Sequence, residues 1–182
     1  MVQLNLGCGK DYRDGWVNVD FNREVRTDVY AHFSHGLPFK DNTVDAVLMD
    51  HVLEHVRQDD YFAFLEELCR VCKPSARIRI YVPHYTGQTA LKHPAHYMYF
   101  GVGSFDPFSE DEFFNGERYC NARFRVVDEQ LHFFAHKLNF FAFRNKIPIN
   151  WLFNFNQPWR LIVERFQFLG FDEIYFELEV VK

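Results

Sequence analysis

The stretch Leu4-Asn5-Leu6-Gly7-Cys8-Gly9 indicates the fold of this chain. The run Val2–Leu6 has the character of a short β-strand, and it ends directly in a Gly-x-Gly turn. In α/β sheets such a turn lets the backbone approach a ligand beyond the carboxyl end of the strand. Tyr12 stands where the dinucleotide fingerprint has its third glycine, so NAD and a nucleotide-dependent oxidoreductase are disfavoured.

The residues that follow the turn predict alternating strands and helices. Such alternation is typical of a parallel sheet with right-handed crossovers. A helix is predicted over Asp59–Cys72, with Asp59 as its cap and Pro74 as its stop. The predicted strands are Trp16–Asp20, Val44–Met49 and Ala76–Val82.

Asp20 closes the second strand, where a carboxylate can accept hydrogen bonds from the two ribose hydroxyls of an adenosine. The plainer alternative is a turn or cap residue in a polar loop. Only Lys10–Gly15 separate the glycine turn from this strand, whereas a crossover helix needs a dozen residues or more. We therefore expect the first crossover helix to be missing, and some of the surplus phenylalanines to cover the exposed face of the sheet.

The second half of the chain is less regular and rich in aromatic residues, including most of the 22 phenylalanines. The long stretch Pro83–Phe108 has the composition of a functional loop. Further predicted elements are a short helix opening at Ser109-Glu110-Asp111-Glu112, strands at Arg123–Phe134 and Glu173–Val181, and a helix at Pro158–Leu169. No linker divides the chain, which predicts one domain over residues 1–182, with a ligand-binding half 1–82 and an aromatic-rich half 83–182.

Composition narrows the classes of partner and compartment. The net charge of −5 argues against a non-specific nucleic-acid binder. No apolar run has the roughly 18 residues that a membrane span needs, and we expect a cytoplasmic protein without a signal peptide. Cys69 and Cys72 form a lone CxxC on a helix, for which a structural role is favoured over a metal or redox role. A basic stretch could bind an anionic substrate or form a solvated face: Arg118, Arg123, Arg125, Lys137, Arg144 and Lys146.

Taken together, the order and spacing of the motifs resemble the small, type-11-like class I S-adenosylmethionine-dependent methyltransferases. The resemblance covers nearly the whole chain. It is carried by Leu4–Gly9, Gly15–Asp20, Leu37–Asp45, Asp50–His55 and Arg70–Pro74. It implies an α/β, Rossmann-like, mostly parallel seven-stranded sheet with helices on both faces and a C-terminal antiparallel hairpin. It also implies an enzyme that uses S-adenosylmethionine and releases S-adenosylhomocysteine.

The resemblance further implies a role for individual residues. Gly7, Cys8 and Gly9 would contact the methionine part of the cofactor through their backbone, and Asp20 would hold the ribose. Leu37 would pack near the adenine, and Asp50 and His51 would face the sulfonium and the acceptor. Three departures from the family weaken the expected affinity for the cofactor. Asn5 replaces an acid that contacts the cofactor's amino group, and the first helix is absent. Near the adenine, where an acid often lies, this chain has His32, Phe33 and His35.

Methyl transfer from a sulfonium is an in-line displacement, in which positioning does most of the work. A general base is needed only if the nucleophile keeps its proton at neutral pH. His51 and His84 follow the carboxyl ends of the fourth and fifth strands and are the candidate catalytic residues. Alternatively, each is a hydrogen-bonded structural histidine.

Histidines of the long loop raise the question of a metal. The spacing of His84, His93 and His96 matches no familiar zinc motif, and no metal site is predicted. A loop that lines an acceptor pocket is favoured, through Tyr85, His93, His96, Tyr97 and Tyr99.

The function predicted from the sequence is methyl transfer to a small-molecule or glycan-type acceptor. The alternative is a non-catalytic nucleoside-binding or interaction protein that keeps the fold, which Asn5 and the absent helix favour. The aromatic stretch Leu131–Phe155 allows three interpretations: core cover, a homodimer surface or an interfacial membrane patch.

Overall fold

The computed structural model describes residues 1–109, 119–132, 154–165 and 170–182. The described strands are β1 (Gln3–Leu6), β2 (Val17–Asp20), β3 (Val29–Tyr30), β4 (Val44–Asp50), β5 (Cys72–Pro83), β6 (Phe124–His132) and β7 (Glu173–Val180). The described α-helices are α1 (Gln58–Val71), α2 (Gln88–Lys92) and α3 (Gln157–Arg165). Short 3-10 turns lie at Phe33–His35, Leu53–His55 and Asp106–Phe108.

The strands form one seven-stranded sheet in the order β3-β2-β1-β4-β5-β7-β6. All pairs from β3 to β5 are parallel, whereas β7 runs antiparallel to both β5 and β6. This arrangement confirms the predicted α/β class and the mostly parallel sheet with an antiparallel pair at the carboxyl end. The last two strands do not form a tight hairpin, because residues 133–172 separate them.

One face of the sheet is apolar and contains the core. Register pairs bring Leu6, Met49, Ile80 and Phe176 together across β1, β4, β5 and β7, all of them fully buried. Helix α1 packs its apolar side on this face. Several aromatic rings of the second half extend the same layer: Phe100, Phe105, Phe108 and Phe124. These four phenylalanines therefore thicken the layer beside α1.

The link from β1 to β2 contains no helix, as its length predicts. Asn5 and Asn18 lie opposite each other on the second face of the sheet, and the Asn5 Nδ2 donates to Asn18 Oδ1 at 3.0 Å. The same Nδ2 donates to the Asp11 carbonyl, while Asn18 accepts from the Arg13 amide and donates to the Arg13 carbonyl. The buried side-chain amides of Asn5 and Asn18 therefore hold the linking loop against the strands. A crossover helix would pair its own backbone N–H and C=O groups, whereas this loop takes some of its hydrogen bonds from these two side chains.

Local details differ from the prediction at the ends of α1. Asp59 is not the cap: the helix begins at Gln58 after Arg57, which makes no side-chain capping bond, so Asp59 lies inside the first turn. An acidic residue is favourable there because of the helix dipole. Pro74 does not stop the helix either, since Cys72 already begins β5 and is buried opposite Val44. Strand β3 was not predicted because its two residues carry no periodicity.

Several predictions fall on residues outside the described ranges. They include the helix opening at Ser109-Glu110-Asp111-Glu112, the basic residues Arg118, Lys137, Arg144 and Lys146, and nearly all of Leu131–Phe155. The homodimer and the other interpretations of the aromatic stretch stay predictions. Within the described ranges, no helix is long and apolar enough to cross a bilayer. All four cysteines are free thiols.

Candidate functional site

A cavity of about 510 Å³ lies at the carboxyl ends of β1, β2 and β4. Three of the residues singled out from the sequence line it, namely Gly7, Asp20 and His51. The other predicted site residues do not: Asn5, Cys8, Gly9, Leu37, Asp50 and His84. His32, Phe33 and Tyr97 also line the cavity, and sequence reasoning places them near the adenine or the acceptor. The lining residues to which sequence reasoning assigns no role are Phe21, Val52, His55, Val56, Arg57, Asp60 and Ala95.

Gly7 must be a glycine for two reasons. Its φ of 64° lies in the left-handed region, which other residues adopt only at a cost. A Cβ on Gly7 would also lie 2.5 Å from a methyl carbon of Val52, in the segment that follows β4. The turn thereby lets the backbone after β1 approach the segment after β4, and both line the cavity.

Asp20 is held in a fixed orientation at the end of β2. Its Oδ2 accepts the Gly9 amide and its Oδ1 accepts the Asn22 amide, both at 2.8 Å. Each carboxylate oxygen has a second lone-pair direction, so these bonds leave acceptor capacity toward the cavity. A carboxylate oriented by two backbone amides is suited to receive a pair of hydroxyl groups.

An aromatic wall stands beside Asp20. Phe21 is 62% exposed, and its ring meets the His32 ring edge-on at 5.4 Å between centroids. Phe33 lies next to them and packs against the buried Phe64. The exposed Phe21 directly after the strand-closing acid is a signal that the sequence carries but that sequence reasoning did not use.

His51 bridges two buried carboxylates. Its Nδ1 lies 3.3 Å from Glu54 Oε1, and its Nε2 lies 3.3 Å from Glu173 Oε2 on β7. Burial opposes the charged ring, but Glu173 and Glu54 outweigh that effect and raise the pKa of His51 to about 10. At neutral pH the ring is therefore an imidazolium, with a carboxylate oxygen 3.3 Å from each ring nitrogen. Such a ring cannot accept a proton from a substrate.

The charged cluster continues away from the cavity. Glu173 is completely buried, and its second oxygen lies 2.7 Å from His132 Nδ1 on β6. The His132 ring is parallel to that of Tyr175 within 5°. His51 thus connects the end of β4 to the antiparallel pair at the carboxyl end of the chain.

His84 lies in a different environment at the end of β5. It is fully buried, with Nδ1 2.7 Å from the Thr86 hydroxyl and Nε2 2.8 Å from Glu164 Oε1 on α3. The same Glu164 oxygen accepts the Val102 amide at 2.9 Å. His84 therefore ties α3 and a loop to the sheet, which supports the structural alternative left open by its sequence position.

Three other residues predicted to touch a cofactor, Leu37, Cys8 and Asn5, do not line the cavity. Leu37 is buried, and its amide donates to Glu67 on α1 at 2.9 Å. Cys8 is buried, and burial raises the pKa of its thiol. The Asn5 side chain bonds to the β1–β2 loop as described above. Contacts of these residues with a cofactor stay predictions.

Three histidines meet at the edge of the cavity. His55, His93 and His96 each place a ring nitrogen within 4.8 Å of the others. Of the trio considered from the sequence, His84 is remote and His55 takes its place. Of the five residues predicted to line an acceptor pocket, Tyr97 lines the cavity, together with Ala95 of the same loop. The cavity lining does not include Tyr85, His93, His96 or Tyr99, and an acceptor role of the loop stays a prediction.

Comparisons with known proteins found similarity of sequence in part of the chain. Residues 4–80 match the family model described as a methyltransferase domain. An uncharacterized protein of Methanocaldococcus jannaschii is 34% identical over 92 residues, which cover 43% of this chain and 39% of that protein. The chain thus matches about two fifths of the length of this relative.

Solved structures share the fold. An S-adenosylmethionine-dependent methyltransferase from Archaeoglobus fulgidus matches 97% of this chain and 85% of its own, with a TM-score of 0.61 and 19% identity. A Burkholderia thailandensis 1,6-didemethyltoxoflavin-N1-methyltransferase, solved with its substrate and S-adenosylhomocysteine, matches 100% of this chain and 71% of its own, with a TM-score of 0.52 and 15% identity. At these identities the likeness concerns the fold. The fold class inferred from the sequence is confirmed, and the resemblance to methyltransferases is confirmed by sequence over residues 4–80.

Proposed function

We propose that this chain transfers a methyl group from S-adenosylmethionine to a small-molecule or glycan-type acceptor. The match of residues 4–80 to the methyltransferase domain model and the fold shared with an S-adenosylmethionine-dependent methyltransferase support the proposal. The observation that carries this proposal is one cavity lined by Gly7 after β1, Asp20 after β2 and His51 after β4. In open α/β sheets, ligands bind in the crevice beyond the carboxyl ends of the strands.

The proposed cofactor position follows from the cavity wall. Asp20 accepts the ribose hydroxyls, and the rings of Phe21, His32 and Phe33 offer an apolar, stacking surface for the adenine. The methionine part then lies along the Gly7 backbone, which lines the cavity. The neighbour from Burkholderia thailandensis, which binds S-adenosylhomocysteine on the same fold, supports this choice of cofactor.

The acceptor enters from the side of His51, His55 and Tyr97 in this proposal. Transfer is an in-line displacement: the acceptor's lone pair forms the new bond to the methyl carbon while the carbon–sulfur bond breaks toward sulfur. His51 acts as a positioning residue, because its protonated ring holds Glu54 and Glu173 in place and has no free lone pair. A thiolate or an uncharged amine needs no base here, whereas an ammonium or a hydroxyl must first lose its proton to another group.

A non-catalytic nucleoside-binding protein remains the alternative, and two observations favour it. Asn5, which stands in place of the family's acid, is committed to the β1–β2 loop. The link from β1 to β2 contains no crossover helix. Such a protein would bind the nucleoside in the same cavity and methylate nothing.

Calorimetry and a transfer assay test the proposal together. We expect one-to-one binding of S-adenosylmethionine and S-adenosylhomocysteine, no binding of NAD, and label transfer from methyl-labelled S-adenosylmethionine to at least one class in a panel of amines, thiols, phenols and sugars. Failure to bind either sulfur nucleoside at millimolar concentration contradicts the proposed function. Binding without transfer to any class favours the non-catalytic alternative.

A further inference from the structure

The histidine trio at the edge of the cavity has the chemistry of a metal site. We propose that His55, His93 and His96 together bind one divalent transition-metal ion, of which zinc is the best match to three imidazole ligands. A site with three protein ligands leaves a further coordination position for water or another small ligand. The proposal stands on geometry that is independent of methyl transfer.

The nitrogens are close enough for one ion after a small adjustment. They lie within 4.8 Å of one another, and the ring centroids are 4.6 to 5.3 Å apart. Zinc–nitrogen bonds of about 2.0–2.1 Å in tetrahedral geometry place the nitrogens about 3.3 Å apart. The trio has to close by roughly 1.5 Å, which side-chain rotation can supply because His55 and His93 are exposed.

Hydrogen bonds orient two of the rings for coordination. The Nδ1 of His55 lies 2.9 Å from the Ala95 carbonyl, and the Nδ1 of His96 lies 3.2 Å from the Ala90 carbonyl. Since a carbonyl only accepts, each Nδ1 carries the proton and each Nε2 has a free lone pair. A backbone carbonyl behind the ring is the usual outer partner of a metal-binding histidine. His93 differs, because its Nδ1 accepts the Ala95 amide at 3.3 Å, and metal binding replaces that long bond.

The backbone brings the trio together from distant parts of the chain. The amides of Tyr97 and Met98 both donate to the Glu54 carbonyl, at 2.8 and 3.2 Å. This fixes the loop that carries His93 and His96 beside the turn that carries His55. The arrangement of the three rings is therefore built by the fold and does not depend on contacts between the rings alone.

The position of the trio gives the ion a use. His55 and two residues of the loop, Ala95 and Tyr97, line the cavity with Asp20 and His51. Where the proposed methyl transfer holds, a hydroxyl or thiol bound to the ion would lose its proton to solvent more readily, and the resulting lone pair would attack the methyl group. That consequence rests on the proposed function, whereas metal binding itself does not.

Zinc binding to the tag-free protein tests the site. We expect one Zn²⁺ per chain by competition with a chromogenic chelator, and a four- or five-coordinate visible spectrum with Co²⁺. His55→Ala and His93→Ala each should weaken Zn²⁺ binding at least about tenfold, as loss of a direct ligand exceeds loss of an outer partner. Both side chains are exposed, so these variants are expected to fold. His35→Ala, an exposed histidine outside the trio, should bind as the wild type does.

The proposal is overturned if the wild type binds no Zn²⁺ at micromolar concentration, or if His55→Ala and His93→Ala bind it as tightly as His35→Ala does. Calorimetry with S-adenosylhomocysteine on the same samples keeps the two proposals apart. Absence of nucleoside binding with intact zinc binding contradicts the proposed function alone, and the reverse result contradicts the metal site alone.

Discussion

The ends of β4 and β5 lie side by side in the sheet, and each strand is followed by a histidine, yet the two histidines have different environments. The side chain of His51 is 32% exposed and lines the cavity. His84 is fully buried and bonded to Thr86 and Glu164. A histidine after a parallel strand is thus a candidate for catalysis only where the neighbouring elements leave it open to a cavity.

The partners of the two rings explain the difference. Glu173 reaches His51 from β7, and Glu164 reaches His84 from α3. Both partners lie far along the chain from their histidines. One ring gains a second carboxylate and stays charged on the cavity wall, while the other joins a helix to a loop.

Removal of the buried His84 ring is expected to have the largest effect on stability. His84→Ala leaves the Glu164 carboxyl and the Thr86 hydroxyl without their buried partner, and we expect a loss of about 3–5 kcal/mol in the free energy of unfolding. Denaturant unfolding measures it, with His35→Ala as the exposed control. S-adenosylhomocysteine affinity of the folded fraction should match the wild type. A loss below about 1 kcal/mol would contradict the structural role of His84, and lost affinity at unchanged stability would place His84 in the site.

A smaller loss in the free energy of unfolding is expected for His51, the more exposed of the two histidines. His51→Asn removes the cation between Glu54 and Glu173, and asparagine tolerates the φ of 55° at this position. We expect a loss of about 2–3 kcal/mol, less than for a fully buried pair because solvent screens part of it. In the background of Glu54→Gln the same substitution should cost less. Equal costs in both backgrounds would refute the ion-pair account.

The pH dependence of stability sharpens the same point. The folded-state pKa of His51 is about 10, above its ordinary value of 6.5. A raised pKa stabilises the fold fully below pH 6.5, and this contribution is lost as the pH rises toward 10. Wild-type stability should therefore fall across this window more steeply than that of His51→Asn. Parallel profiles of the two proteins would mean that the ring is neutral.

How much of the molecule follows from its sequence depends on how local the cause is. The Gly-x-Gly turn, the acid at Asp20 and the six-residue link of Lys10–Gly15 act within a few residues, and they predicted the sheet and its absent helix. The carboxylates around His51 and the replacement of His84 by His55 in the trio arise from contacts between distant segments. No periodicity or spacing along one chain encodes those contacts.

The central claim is that an adenosyl cofactor binds at Asp20, and calorimetric titration with S-adenosylhomocysteine tests it most directly. Asp20→Ala should weaken binding by about 1–3 kcal/mol, roughly 5- to 150-fold, because charged hydrogen bonds to the ribose are lost. Asp20→Asn keeps one acceptor oxygen and the side-chain shape, so its affinity for S-adenosylhomocysteine should lie between those of the wild type and Asp20→Ala. Unchanged affinity in a folded Asp20→Ala variant would contradict the account.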